Sequence, residues 1–100
     1  MLNVNRASTF TKALHLLDDS QDEEAVALLS SILTESSAEN DLVHVVRSSC
    51  VLGEYYFNAG NLTEAKKHLE ITTNAGVDED QAAIVDYELN QAKKMLKRIG

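Results

Sequence analysis

The chain has 100 residues, of which 44% are hydrophobic and 25% charged, with one cysteine and no proline or tryptophan. Sixteen acidic residues against nine basic ones leave a net charge of −7, which makes nucleic acid an unsuitable partner. No apolar run reaches the roughly 18 residues of a membrane span, and the first residues lack the apolar segment of a signal peptide. Since one cysteine cannot form an internal disulfide, we expect a single soluble, cytoplasmic domain over residues 1–100.

The first two helices are indicated by apolar spacing and by candidate caps, which together predict an all-α protein of about five helices. The first helix is predicted to start near Ser8. Its apolar face recurs at helical spacing and consists of Phe10, Leu14 and Leu17. The second helix is predicted to open with a capping box, in which Ser20 accepts a hydrogen bond from the amide of Glu23.

The remaining helices have clearer start and stop signals. The third is predicted from a cap at Asn40 or Asp41 to a left-handed C-terminal residue at Gly60. The fourth is predicted to start at Asn61 and to end in the stretch that closes with Gly76. The fifth is predicted to begin after the acidic residues 78–80, and its apolar positions alternate by four and three residues. These positions are Val85, Leu89, Ala92, Leu96 and Ile99.

The chain matches itself when it is shifted by 40 residues. Ala25 then falls on Ala65, and Ala13 falls on Gly53. Each unit is a helix, a short polar turn and a second helix with Glu-Ala in its first turn. The small residues at Ala13 and Gly53 predict a close approach of two antiparallel helices.

Residues 52–69 resemble a tetratricopeptide repeat (TPR). The resemblance is carried by Leu52-Gly53, Tyr56, Gly60, Ala65 and Leu69. The period of 40 residues is longer than the usual period of about 34, and it is similar to the long variant of kinesin light chains and related scaffolds. We place the extra residues in the loop and helix start from Ala38 to Val45.

The resemblance implies a short right-handed solenoid of stacked antiparallel helix hairpins. Residues 40–76 form the strong repeat, and residues 5–39 form a degenerate repeat in which Ser20 replaces the turn glycine. Residues 78–100 are interpreted as a C-terminal capping helix, which repeat proteins use to cover their last apolar face.

The resemblance also implies a binding surface, because in TPR proteins the first helix of each repeat lines a concave groove that holds a peptide. The positions that it transfers to this chain are Phe10, Leu14, Leu17, Arg47, Cys50, Val51, Glu54, Phe57 and Asn58. Arg47 and Glu54 are the polar groups of this mostly apolar set, which lacks the basic cluster of a carboxylate clamp. The alternative is that the apolar members simply pack against neighbouring helices.

No residue pattern predicts catalysis, a metal or a cofactor. The three histidines, His15, His44 and His68, lack metal-ligand spacing, and His68 is interpreted as part of a surface pair with Glu64. Cys50 has no second cysteine or neighbouring histidine, so we interpret it as a small buried or half-buried residue. The sequence Asn61-Leu-Thr63 matches a glycosylation sequon, but it also matches the repeat turn.

The charge is unevenly distributed along the chain. Residues 1–45 hold eight acidic and two basic residues, a net charge of −6, whereas residues 80–100 hold three acidic and four basic residues, a net charge of +1. We therefore keep two hypotheses: a non-catalytic TPR-like adaptor that binds a protein or peptide, and a small acidic inhibitor that neutralises a basic partner. In the second, the key residues are Asp18, Asp19, Asp22, Glu23 and Glu24. A homodimer through an incomplete solenoid is a further alternative.

Overall fold

The computed structural model describes residues 4–100, which form six α-helices and no strand. The helices are α1 (Val4–Asp18), α2 (Asp22–Ala38), α3 (Leu42–Asn58), α4 (Leu62–Thr73), α5 (Glu79–Ile84) and α6 (Asp86–Ile99). Residues 1–3, which belong to the stretch for which no signal peptide is predicted, lie outside the described residues. The all-α prediction is confirmed. In the described part of the chain, no helix combines the length and the apolar character that a membrane span requires.

The first four helices are joined by three turns of the same geometry. Ser20, Asn40 and Gly60 each adopt a left-handed backbone conformation, with φ of 62°, 60° and 81°. The Gly60 N–H donates to the carbonyl of Phe57 at 3.1 Å, and the next amide donates to Tyr56 at 2.9 Å. The same pair of bonds closes the other two turns, as in the Schellman motif. Because each reversal takes only three residues, consecutive helices are antiparallel neighbours.

The predicted capping box at Ser20 is wrong. Ser20 occupies the left-handed position that ends α1, as its alignment with Gly60 predicts, and Gln21 becomes the N-cap of α2 without a side-chain hydrogen bond. The caps of the next two helices are conventional, since Asp41 and Asn61 each accept a hydrogen bond from the amide three residues later. Helix α2 therefore starts at Asp22, one residue later than a cap at Ser20 would place it.

The first helix also begins earlier than the predicted start near Ser8. It includes Arg6, whose side chain is only 3% exposed and donates to carboxylate oxygens of Glu39 and Asp41, both at 2.8 Å. These contacts fix the first turn of α1 against the α2–α3 turn. The local cap pattern that predicted a start near Ser8 does not include these contacts, because the partners of Arg6 lie 33 and 35 residues away in the chain.

The predicted fifth helix is two helices, which makes six rather than five within residues 4–100. Asp78 caps α5 in a full capping box with Gln81, so the helix begins at Glu79, two residues before the start predicted after residues 78–80. The helix then breaks at Val85, whose φ of −110° and ψ of 25° are not helical. Val85 is fully buried while Ile84 and Tyr87 are exposed. Neither glycine nor proline marks this break in the sequence.

The core is centred on α3, which packs against α2, α4 and α6. One cluster contains Ala13, Leu29 and Leu52, and the other contains Ala65, Leu69, Ala92 and Met95. Tyr56 packs against both clusters. The close approach predicted at Gly53 is confirmed, because a Cβ atom there would lie 2.6 Å from Cδ2 of Leu69. Only glycine allows α4 to pack so closely on α3.

Helix α6 runs parallel to α3 along one of its sides. Arg47 near the start of α3 pairs with Glu88 near the start of α6 at 3.6 Å. Phe57 near the end of α3 lies 5.2 Å from the guanidinium carbon of Arg98 near the end of α6. Helix α1 lies on a different side of α3.

Candidate docking groove

An open groove of about 360 Å³ lies between the α1–α2 turn and the second half of α3. Its lining consists of Leu17, Asp22, Val51, Glu54, Tyr55, Asn58 and Ala59. We refer to these seven residues as the docking groove. The left-handed residues of the α1–α2 and α3–α4 turns bring both walls to the same end of the molecule.

The floor of the docking groove combines the apolar side chain of Val51 and the ring of Tyr55 with the polar Asn58. Val51, Tyr55 and Asn58 follow one another at intervals of four and three residues, so they form one stripe along the helix. Leu17, the last apolar residue of α1, closes the other side. Val51 and Leu17 also pack against the core cluster around Leu52, so the floor is attached to the fully buried part of the protein.

Carboxylates border this floor. Asp22 stands in the first turn of α2 and Glu54 on α3, and neither takes part in an ion pair within residues 4–100. Four further acidic residues lie exposed close to the same turn in sequence: Asp18, Asp19, Glu23 and Glu24. Because few cations compensate them, this end of the molecule has a negative potential that attracts cationic groups.

The structure brings four of the nine predicted binding residues into the docking groove. They are Leu17, Val51, Glu54 and Asn58. Asp22, Tyr55 and Ala59 were not among the predicted binding residues. Tyr55 could have been found from the sequence, because it follows Val51 by four residues and therefore lies on the same face of α3. Asp22 was named only as a key residue of the acidic-inhibitor hypothesis.

Three other predicted binding residues contact α6. Arg47 pairs with Glu88, and the Cys50 thiol donates to the backbone carbonyl of Glu88 at 3.7 Å. Phe57 packs with the second core cluster beneath Arg98. The α6 side of α3 is therefore closed, whereas its α1 side is open at the docking groove.

The environment of Cys50 does not favour a reactive thiolate. The residue is 5% exposed. Burial, followed by the nearby carboxylates of Glu54 and Glu88, raises the pKa of the Cys50 thiol to about 12. A thiol with this pKa remains protonated at neutral pH and is a poor nucleophile.

Phe10 and Leu14, the remaining predicted binding residues, lie outside the docking groove. Phe10 packs against the first core cluster, and its ring meets the imidazole of His44 edge-on at a centroid distance of 6.5 Å. Leu14 is half-buried on α1. Phe10 therefore packs against neighbouring helices, as the alternative interpretation states.

A cluster of paired charges lies at the opposite end of the first hairpin. Arg6 bonds to Glu39 and Asp41, and Asp41 also lies 2.8 Å from Nδ1 of His44. The hydrogen bonds that Arg6 donates to Glu39 and Asp41 raise the pKa of Arg6. Burial alone would raise the pKa of Asp41, but the hydrogen bonds from Arg6 and His44 outweigh it and keep this pKa below its ordinary value. We refer to these four residues as the charge clamp.

The interpretation of His68 as part of a surface pair is wrong. His68 is 8% exposed, its Nδ1 lies 2.8 Å from the backbone carbonyl oxygen of Glu64, and its ring lies 5.4 Å from that of Tyr56. Its role is to fill space between α3 and α4. Among the residues that the structure describes, no group of three or more histidine, cysteine or acidic side chains is arranged to hold a metal ion.

Comparison with protein-family models, with curated proteins and with solved structures finds no match to this chain. We therefore infer its function from the docking groove and the charges around it.

Proposed function

We propose that this protein is a non-catalytic module that binds another protein or a peptide, and that the docking groove is its binding surface. The observation that carries this proposal is an open, partly apolar floor bordered by carboxylates without ion-pair partners among the described residues. Apolar contact supplies affinity, while the surrounding charges select and orient the partner. Both walls belong to packed helices, so little ordering is required on binding.

We also propose that the helices form a short TPR-like array. The small residues that align at an offset of 40, Ala13 with Gly53 and Ala25 with Ala65, are all buried, which supports two equivalent hairpins. Helix α6 lies beside α3 with contacts to residues 41 positions earlier, where the first helix of a third repeat would lie. In this arrangement the docking groove is the part of the concave face between the first two repeats.

The proposed function is tested by capture with matched variants. The tagged protein and two variants, Val51→Glu and Thr34→Glu, are incubated with an extract of the cells that produce it, and the bound proteins are identified by mass spectrometry. Val51→Glu places a charge on the groove floor, whereas Thr34→Glu adds the same charge at an exposed position of α2 outside the docking groove. We expect Val51→Glu to lose a partner that Thr34→Glu retains.

A partner that binds all three proteins equally would exclude the docking groove as its binding surface. Arg47 and Phe57 are less suitable for this test, because both contact α6 and their loss also disturbs the packing. Circular dichroism of each variant separates a loss of binding from a loss of folding.

The second candidate function is an acidic inhibitor that neutralises a basic partner. It is favoured by the exposed acidic residues Asp18, Asp19, Glu23 and Glu24 beside the docking groove. This candidate predicts binding that weakens steeply with salt and that is lost when these four residues are replaced by their amides. Salt-independent binding that is lost in Val51→Glu would favour the first candidate.

A cytoplasmic location accompanies either proposal. It is supported by Cys50 being a free, buried thiol and by the rarity of disulfides in reducing compartments.

A further inference from the structure

The exposed face of α6 combines an aromatic ring with lysines. Tyr87 is 70% exposed, and Asn90, Lys94 and Lys97 follow it at intervals of three, four and three residues, which place all four on one face. All three of these residues are exposed as well. Neither lysine takes part in an ion pair within the described part of the chain. We refer to these four residues as the α6 stripe.

The α6 stripe and the docking groove are partly complementary: the stripe carries two lysines, and its Asn90 donates a hydrogen bond to the exposed carboxylate of Asp86 at 3.2 Å. The groove has a partly apolar floor and the carboxylates Asp22 and Glu54, while the stripe has an exposed aromatic ring and two lysines. The stripe is longer than the floor of the groove. Val51 to Asn58 spans seven residues of α3, about 10 Å, and Tyr87 to Lys97 spans ten residues of α6, about 15 Å.

The stripe cannot fill the docking groove of its own molecule. Ala92 and Met95, on the opposite face of α6, are buried in the core cluster with α4. Arg47 and Phe57 hold the start and the end of α6 against α3. None of the four stripe residues is among the residues that line the docking groove of the same molecule, so the groove is open to a stripe from another molecule.

We propose that the docking groove binds the α6 stripe of a second copy of this chain. In this contact Tyr87 packs on the apolar floor between Val51 and Tyr55, and Lys94 and Lys97 face the carboxylates at its border. The proposal rests on the proposed function, because it uses the same groove and names its occupant. The contact joins two different surfaces, so it produces head-to-tail chains or rings rather than a symmetric pair.

The affinity of this contact is limited by the total charge. Each copy has a net charge of −7, so two copies repel each other at long range. At physiological ionic strength this repulsion is screened beyond about 8 Å, while the local contact between lysines and carboxylates acts over a shorter distance. We therefore expect reversible association that is detected at high protein concentration.

The test is complementation between two variants of the full chain. Val51→Glu removes the groove but keeps the stripe, and Tyr87→Ser removes the stripe but keeps the groove. In sedimentation velocity over a concentration series, we expect the wild-type protein to form dimers and larger species and each variant alone to be monomeric. An equimolar mixture of the variants retains one functional contact, so it should form a 1:1 dimer and nothing larger.

The controls separate this inference from loss of folding. Thr34→Glu adds a charge at an exposed position of α2 outside the docking groove, so it should associate like the wild-type protein. Glu54→Lys is a second groove variant that changes a half-buried surface residue, and it replaces Val51→Glu if that variant does not fold.

A wild-type protein that remains monomeric at millimolar concentration would overturn the inference, as would undiminished association of Tyr87→Ser. If the wild-type protein is monomeric but captures another protein through Val51, the second copy is rejected and the proposed function stands. If neither self-association nor capture depends on the groove variants, both proposals are rejected.

Discussion

The two ends of α3 both carry carboxylates, but they use them differently. At the first end, Asp41 is joined to Arg6 and His44 in the charge clamp, and the clamp holds α1 against the α2–α3 turn. At the second end, Asp22 and Glu54 border an open, partly apolar groove and have no cationic partner within residues 4–100. Paired charges at the first end stabilise the fold, whereas uncompensated charges at the second end are available to a partner.

The largest contrast is expected between two neighbouring residues of α3. Leu52 is fully buried, and Leu52→Ala should lower the free energy of unfolding by about 2–5 kcal/mol because it leaves a cavity. Val51 lines the open groove, and Val51→Ala should lower it by about 1 kcal/mol or less. Urea denaturation followed by circular dichroism measures both values. Equal losses would mean that the groove floor belongs to the core.

The next contrast compares a carboxylate from each end. Asp41→Ala removes the N-cap of α3, which costs about 1–2 kcal/mol, and it also leaves Arg6 with one carboxylate fewer. Asp22→Ala removes only a favourable charge from the first turn of α2, which costs about 0.5 kcal/mol. The same denaturation experiment compares the two variants. A larger loss for Asp22→Ala would contradict the assignment of the clamp as the stabilising end.

A smaller effect is expected at the turn beside the docking groove. Ser20 adopts a positive φ that costs a non-glycine residue about 1–2 kcal/mol, partly offset by the greater chain entropy that glycine loses on folding. Ser20→Gly should therefore stabilise the protein by about 0.5–1 kcal/mol. Gly60→Ala is the reverse control, since a Cβ there meets no atom within 4 Å and only the backbone conformation changes. It should be destabilising, and an unchanged melting temperature in both variants would exclude this interpretation.

The smallest expected effect is the pH dependence of the charge clamp. Because the pKa of Asp41 is lowered in the folded protein, its contribution to stability is complete above its ordinary pKa of about 3.9. That contribution is lost as the pH falls through the lower, folded value. Asp41→Asn keeps a capping side chain but does not titrate. The difference in unfolding free energy between the wild-type protein and Asp41→Asn should therefore shrink from pH 7 to pH 3, and a constant difference would contradict the assigned contacts.

Several features of the fold were predictable because their causes are local. The apolar spacing of α3, the caps at Asp41 and Asn61 and the left-handed Gly60 each depend on residues within one helical turn. The double interpretation of Ser20 shows where local signals conflict. Its hydroxyl suits an N-cap and its alignment with Gly60 suits a turn, and the turn prevails because the chain must reverse between α1 and α2.

About half of the docking groove was predictable, and the reason for the rest is long-range contact. The resemblance to a TPR implies a groove position for Val51, Glu54 and Asn58, and these three line the docking groove. The same resemblance implies an open surface at Arg47, Cys50 and Phe57, because it does not show that α6 packs against them. Arg6 was overlooked as a structural residue for the same reason, since its partners are more than 30 residues away.

The sequence by itself determined the helical class, the left-handed turn at Gly60 and the concentration of acidic residues in the first half. These properties follow from the spacing and chemistry of neighbouring residues. The tertiary structure decided which side of α3 stays open, which carboxylates are paired and where the last helix breaks. Those outcomes depend on the packing of α1 and α6 against α3, and packing is settled by contacts between residues that are distant in the chain.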